Sequence, residues 1–314
     1  MKILVYLEKS AVRGGIEIFA ARHVARLRAE GQEVDIASDV HQEIGLYDEI
    51  IVHKCTDVTT LERFPPEKTV YYVHDHEPIC PRGYAYTPLR RNCTRPGGVW
   101  PCLFCAPACR GWRAALGRVF SQARRKRAMA RFKKLVVISE FMKSRLVANG
   151  LPAERIAVEP PRIDFGAGGG SGPACPPGVE GVELLYVGQL VRGKGVQLLL
   201  QALAQMKTPR TLDVVGTGNM EGALKALAAE LGIAARVRFR GFQERPQDWM
   251  RAARCVVVPS FWQEPYGLVA AEAVALGRRV VAFAIGGLPE ACGGKATLVP
   301  PGDITALARA LENT

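Results

Sequence analysis

V-P-S-F-W-Q-E-P-Y-G-L-V-A-A-E-A-V-A-L-G-R-R-V-V-A-F-A-I-G-G-L-P-E, running from Val258 to Glu290, decides how the chain is read. The apolar run Cys255 to Pro259 overlaps its start and reads as a buried strand, and Arg279 to Ala284 reads as another. Between them, Pro265 and Gly267 mark a loop, and the Ala-rich run up to Gly277 reads as a helix. The order is strand, loop, helix, strand, with the loop at a helix N-terminus.

The first amides of a helix lack intrahelical partners and carry the positive end of its dipole. Gly267, Leu268 and Val269 would therefore offer N–H groups to an anion, most naturally a phosphate. Glu264 precedes the helix and Glu272 lies one to two turns inside it, with seven residues between them. A phosphate repels carboxylates, so two of them here suit hydroxyl groups on either side of it, a ribose and a sugar. An ordinary αβ unit with two solvated glutamates has the same spacing, and spacing alone leaves both readings open.

E-P-Y-G-L-V-A-A-E followed by G-G-L-P-E resembles the E-x7-E signature of the retaining GT-B glycosyltransferases of family 4, the glycosyl transferases group 1. The resemblance implies a GT-B fold: α/β, two Rossmann-like doubly wound domains facing a central cleft. It also implies that Glu264 lies near the transferred sugar, that Glu272 binds the ribose, and that the backbone at Gly267, Leu268 and Val269 holds the diphosphate.

The C-terminal domain is expected over 182–314. Its first strand, Val182 to Val187, leads into Gly188-Gln189-Leu190-Val191-Arg192-Gly193-Lys194-Gly195. Glycines with Arg and Lys after a strand suit phosphate oxygens, though a strand–helix turn with exposed charges has the same composition. The run resembles the family's G-R-L-x-x-x-K-G element, whose Arg and Lys neutralise the leaving diphosphate. Lys194 matches, Gln189 stands in place of the Arg, and Arg192 is the nearby candidate for that charge. Further strands end at Gly216-Thr217-Gly218 and Arg240-Gly241-Phe242. The resemblance places Gly216 and the backbone of Phe242 in the nucleotide pocket. A helix is expected from near Asp303 to the last residue, Thr314, where the family usually continues into further helices; a short variant or a truncated chain is the expectation.

The N-terminal domain is expected over 1–165, followed by a Gly/Pro-rich linker over 166–181. Lys2 to Leu7 reads as the first strand, followed by Arg13-Gly14-Gly15-Ile16-Glu17 and a helical run from Ile18 to Glu30. By composition the glycine pair is a tight turn; by resemblance it is the glycine-rich loop that faces the donor. Thr69 to His74 reads as a strand ending in His74-Asp75-His76-Glu77. Polar residues at the carboxyl end of such a strand mark a ligand site in open α/β sheets. The resemblance gives His74 the role of contacting the donor sugar; His76 reads as a metal ligand or an exposed side chain.

Between Pro78 and Ser139 there is no Asp or Glu, but fourteen Lys and Arg; the chain's net +12 is thus +14 there and −2 elsewhere. Such local basicity points to an anionic partner. This insertion, about 78–134, also holds Cys93, Cys102, Cys105 and Cys109, whose spacing could close a tetrahedral structural zinc site, with free thiols or disulfides as the alternatives. Trp112 to Lys134 reads as a basic amphipathic helix with Trp112, Leu116, Phe120, Ala123 and Phe132 as its apolar stripe. It fits either an anionic membrane surface, over 110–134, or a solvated helix docked by that stripe. Nucleic acid is disfavoured because no base-reading motif is present.

No stretch approaches the roughly 18 apolar residues of a membrane span, and the first residues lack a signal-peptide pattern. A cytoplasmic protein, peripheral on the inner face of the membrane, is the expectation. The whole reads as a retaining hexosyltransferase using a UDP- or GDP-type nucleotide sugar and a glycan or lipid-linked acceptor. With no Asp-x-Asp in the chain, the diphosphate falls to Lys194, Arg192 and the helix amides, and no cofactor is required. The alternatives are a membrane- or nucleic-acid-surface binding module with a vestigial nucleotide pocket, and a GT-B sugar-nucleotide epimerase.

Overall fold

Strand–helix alternation sets the architecture of the computed structural model, which describes residues 1–8, 15–40, 42–87, 92–97, 102, 105, 112–163 and 181–314. The chain divides into two units, Met1–Pro161 and Arg162–Thr314. Most of the expected linker, and Gly14 and Cys109, lie outside the described residues.

The first unit carries strands β1 (Lys2–Leu7), β2 (Glu33–Ala37), β3 (Glu49–Lys54), β4 (Thr69–Val73), β5 (Lys134–Val137) and β6 (Ile156–Val158). Its helices are α1 (Gly15–Ala29), α2 (Val58–Leu61), α3 (Trp112–Arg131) and α4 (Glu140–Ala148). The strands pair in parallel in the order β2-β1-β3-β4-β5-β6. Parallel strands need crossovers that cover both faces of the sheet, so their sequences are near-continuous apolar runs. In β4 every residue of T-V-Y-Y-V is buried. The strand order reverses between β1 and β3, which makes the carboxyl ends of those strands the expected ligand end of this sheet.

The second unit carries β7 (Leu184–Val187), β8 (Leu212–Val215), β9 (Val237–Gly241), β10 (Cys255–Val258), β11 (Arg279–Phe283) and β12 (Thr297–Val299). Its helices are α5 (Val196–Gln205), α6 (Glu221–Glu230), α7 (Pro246–Ala252), α8 (Leu268–Ala275), α9 (Leu288–Cys292) and α10 (Ile304–Glu312). The parallel order is β12-β11-β10-β7-β8-β9. It reverses between β7 and β10, so the loops leaving these two strands flank the switch point. Fully burying one Leu-sized side chain stabilises by about 1.5–3 kcal/mol; with β8 and β10 buried at every position, the register of the central strands is firmly held.

Helix starts follow local chemistry. Ser139 caps α4, its Oγ accepting from the Met142 N–H at 3.0 Å, and Asp303 caps α10 by accepting from the Ala306 N–H at 2.8 Å.

Helix α3 forms where expected, but of the described members of the expected stripe only Phe132, just past its end, is buried. Leu116 and Phe120 of the expected stripe are 41% and 57% exposed, while Val119, Gln122, Arg125 and Met129 are buried. The reason is that the basic run is built into the unit. Arg125 donates to the Thr56 carbonyl and pairs with Glu77 at 3.1 Å; Lys126 Nζ donates to the carbonyls of Gly97 and Asn149, both at 2.9 Å; Arg124 forks onto Glu62. A guanidinium can be buried when its charge is paired, and its stem then counts as packing.

Of the four expected zinc ligands, Cys93, Cys102 and Cys105 are among the described residues. Among the described residues no group of three or more His, Cys, Asp or Glu side chains could hold a metal. The Cys93 N–H donates to the Ala85 carbonyl at 2.7 Å, and the Cys105 N–H donates to the Cys102 carbonyl at 3.1 Å. Cys109, the fourth expected ligand, lies outside the described residues.

Candidate functional site

In the second unit the switch point brings two loops backbone to backbone. The loop after β7 ends in a 3-10 turn, Arg192–Lys194, capped by Gly195 at φ 77°. A Cβ on Gly195 would run into the Pro259 carbonyl of the loop after β10, so only glycine permits the approach. The approach sets Lys194 Nζ 2.6 Å from Glu264 Oε1. The same oxygen accepts from Ser260 Oγ at 2.7 Å and Trp262 Nε1 at 2.9 Å. The Lys194 ammonium also stands 5.6 Å from the centre of a Trp262 ring.

Glu264 is buried. Burial pushes its carboxyl upward, but the Lys194 charge and the three hydrogen bonds outweigh it and hold the group below its ordinary value. It is an ionised carboxylate with one oxygen committed to three donors; Oε2 takes no hydrogen bond from the described residues. Its main chain is fixed too. The Gly287 N–H donates to the Glu264 carbonyl at 2.8 Å, and Gly286, at φ 61°, leaves room for Glu264's backbone. That is what the G-G of G-G-L-P-E does in this fold.

Three residues beyond Glu264, Gly267 is the N-cap of α8, at φ 115° and with no side-chain cap. Leu268 and Val269 are the first two helical residues, so their amides are among those an α-helix leaves without internal partners. Glu272 is the fifth residue of α8 and is half-buried. A helical side chain lies over the turn N-terminal to its own Cα, which for Glu272 is the turn carrying the open amides. Arg192 is exposed at the start of the 3-10 turn. Gln189, which replaces the expected Arg, is pinned through its carbonyl, which accepts from Tyr186 Oη at 2.8 Å. Gly216 follows β8 at φ 130°, where a Cβ would meet the Gly188 carbonyl, and Phe242 follows β9 with its ring 72% exposed.

In the first unit, Gly15 is the first residue of α1. His74 follows β4 directly and is half-buried. Its Nε2 lies 3.0 Å from Nδ1 of His53 at the end of β3, and His53 Nε2 lies 3.0 Å from Nδ1 of His23 on α1. Burial first, and then His23, lower His74 to about 3; burial, His74 and His23 lower His53 well below its ordinary value; burial and Arg26 lower His23 to about 4. Asp75 is raised to about 6 by burial and by Glu77. His76 is not exposed but buried, with its ring edge-on to Phe141 at 6.1 Å, and among the described residues it joins no metal-binding cluster.

The structure thus gathers Lys194 and Glu264 into direct contact, and sets Gly267, Leu268, Val269 and Glu272 on the adjoining helix turn. Sequence reasoning missed Ser260 and Trp262, which lie inside V-P-S-F-W-Q-E and were legible as hydrogen-bond donors close to the glutamate. It also missed His23 and His53. A lone histidine on a helix and another on a strand give no spacing signal, and only the sheet order joins them.

Comparison with known proteins places this geometry. The sequence model of the glycosyl transferases group 1 matches residues 181–314. The chain is 40% identical over 145 residues to the D-inositol 3-phosphate glycosyltransferase of Streptomyces coelicolor, which is 41% of this chain and 32% of that protein. To the Corynebacterium jeikeium protein of the same name it is 44% identical over 132 residues, 37% of this chain and 31% of that one. The chain therefore spans about a third of the length of the curated relatives it matches. Over the whole chain it superposes on Anabaena HepE in complex with UDP, with a TM-score of 0.69 at 20% identity, covering 89% of that chain. It covers 90% of WaaG, a glycosyltransferase involved in lipopolysaccharide biosynthesis, with a TM-score of 0.65 at 17% identity and 99% of this chain aligned. The fold is that of the GT-B glycosyltransferases. The sequence match to the group 1 family falls on the second unit, the one that holds Glu264, Lys194 and the open helix turn.

Proposed function

We propose that the chain is a glycosyltransferase that moves a hexose from a uridine diphosphate sugar to a hydroxyl group of a glycan or lipid-linked acceptor, with retention at the anomeric carbon. The observation that carries the reading is the buried Glu264 carboxylate, held by Lys194 at 2.6 Å, three residues before an uncapped helix N-terminus at the switch point of the second sheet. An ammonium and open helix amides form a preorganised positive site for a diphosphate, and such a site lowers the barrier to its departure. Glu264 Oε2 is the acceptor for a sugar hydroxyl, and Glu272 the acceptor for ribose. Solved HepE complexes with UDP and with UDP-glucose, on the same fold, support the uridine donor.

In the proposed reaction the bond from the anomeric carbon to the diphosphate breaks, and the acceptor oxygen bonds to that carbon from the same face. The acceptor proton passes to a donor phosphate oxygen, and UDP leaves. Arg192 adds charge at the diphosphate, Gly15 faces the donor, and His74 contacts the transferred sugar. Gly216 and the Phe242 backbone belong to the nucleotide pocket. A cavity of about 430 Å³ in the first unit, lined by Lys54, Asp75, Glu77, Arg82, Arg118 and Arg125 among others, supports a polar, charged acceptor. The exposed Leu116 and Phe120, one turn apart on α3, support action at the inner face of a membrane. Among the described residues no helix is long and apolar enough to cross one. Release of UDP from UDP-glucose by the purified protein, with and without acceptor extracts, tests the reading. Release that Glu264→Gln abolishes supports it, and absence of release with every UDP- and GDP-sugar overturns it.

A further inference from the structure

The three-histidine chain of the first unit has no part in the function as stated, apart from His74. Its rings run head to tail: His23 Nδ1 to His53 Nε2, then His53 Nδ1 to His74 Nε2, each at 3.0 Å. The outer atoms are His23 Nε2 and His74 Nδ1, and neither has a hydrogen-bond partner among the described residues. Phe19 and Tyr72 form the wall around the chain. The Phe19 ring stands edge-on to all three imidazoles, within 6.3 Å, and the Tyr72 ring lies 4.9 Å from His23 and 4.7 Å from His53. The charged groups around it are Arg26 on α1, Glu49 at the start of β3, and Glu159, which accepts from Tyr72 Oη at 3.2 Å and pairs with Lys134.

Two hydrogen bonds between neutral imidazoles allow only two arrangements, because each ring has one N–H and one lone-pair nitrogen. In one, His23 Nδ1 and His53 Nδ1 donate, and His74 presents an N–H at Nδ1. In the other, His74 Nε2 and His53 Nε2 donate, and His74 presents a lone pair at Nδ1. Changing one into the other moves a proton in at one end of the chain and out at the other, with no net charge left inside. A lone neutral histidine would choose its tautomer freely; His74 cannot, since its choice is tied to two rings behind it.

We propose that His53 and His23 are positioning residues that fix the tautomer and orientation of His74 through this imidazole chain. They set whether its Nδ1 donates to or accepts from a hydroxyl group of the bound sugar. The proposal rests on the reading of His74 as a sugar contact for its consequence, but not for its test.

The test is long-range 15N–1H correlation spectroscopy of the full chain labelled in its histidines, without donor, between pH 5 and 8. The expected spectrum gives His23, His53 and His74 one protonated and one bare ring nitrogen each, in the same sense along the chain, with no imidazolium at pH 5. In His53→Phe the His74 signals should change to a mixture of tautomers. Imidazolium forming at any of the three between pH 8 and 5 in the wild type overturns the proposal, as does a His74 pattern unchanged in a folded His53→Phe. The wild-type titration decides even if that variant fails to fold. As the functional readout, His53→Gln, which can still donate or accept one bond, should lower UDP-glucose turnover about tenfold, the loss of roughly one hydrogen bond, with affinity for UDP unchanged. Locked tautomers with no turnover by the wild type would overturn the glycosyltransferase reading and leave the chain in place. Turnover with free tautomers would overturn the chain alone.

Discussion

Two buried polar clusters, one in each unit, are built in opposite ways. The one in the second unit gathers full charges, Glu264 on Lys194, as does Asp213 under Arg238 and Arg240 away from the switch point. The one in the first, at the carboxyl end of its sheet, gathers three neutral imidazoles behind aromatic rings. Buried charge is stable only when paired, and it gives a strong local field; neutral rings give direction without field. A diphosphate needs the field and a sugar hydroxyl needs the direction, so each cluster carries the polarity its proposed ligand requires.

The largest expected effect breaks the comparison on its charged side. Glu264→Gln keeps the shape but removes the charge facing Lys194, and transfer should fall by about a hundredfold or more, the scale seen when one preorganised electrostatic group is lost. Kinetics on UDP-glucose with near wild-type turnover would show that the buried charge is only structural. Asp213→Ala sharpens the same point from the other direction. Asp213 has no exposed side-chain surface and takes Arg238 at 2.6 and 3.0 Å and Arg240 at 2.7 Å. Its removal leaves two guanidinium groups without their partner and should lower unfolding free energy by about 3 kcal/mol, measured by denaturant unfolding, while UDP binding persists.

The neutral side is tested by pH. His23 and His74 sit at about 4 and about 3 in the folded protein, against about 6.5 unfolded. In that window the unfolded chain binds protons that the folded chain does not, so stability rises with pH. It should be complete above about pH 6.5 and be lost as pH falls through the folded values. Urea unfolding at pH 7 and pH 5 should differ by about 2 kcal/mol per histidine. Asp75 runs the other way: raised to about 6, it favours folding most at low pH and loses that contribution as pH rises through 6. His53→Phe, compared with wild type at each pH, isolates the imidazoles; equal slopes in both proteins would contradict a neutral chain.

Smaller effects follow at the edges. Gly216→Ala, at φ 130° and against the Gly188 carbonyl, should cost about 1–3 kcal/mol in unfolding measurements and weaken UDP binding. Phe120→Asp on α3 should change stability by less than about 0.5 kcal/mol, since the ring is exposed, yet reduce co-sedimentation with anionic vesicles. Unchanged sedimentation would remove the membrane from the account.

How much of this was legible in the sequence follows the same division. The strands were, because burial on both faces leaves uninterrupted apolar runs such as C-V-V-V at β10. Glu264, Lys194 and the Gly267 helix start were, because they fall in two short loops whose glycines mark them in the sequence. The histidine chain was not, since its members sit on α1, at the end of β3 and just after β4, and meet only through strand order. Asp213 with Arg238 was hidden for the same reason; they are partners in β-register, 25 residues apart. The face by which helix α3 docks was not legible, because hydropathy cannot foresee that Arg125 is buried against Glu77.

The central claim is a nucleoside diphosphate site in the second unit, and calorimetric titration of UDP into the wild type and Glu272→Ala tests it most directly. The account predicts one UDP bound per chain and an affinity at least about tenfold weaker in the variant, the loss of one charge-assisted hydrogen bond to ribose. No heat of binding in the wild type, or equal affinity in both proteins, would contradict it.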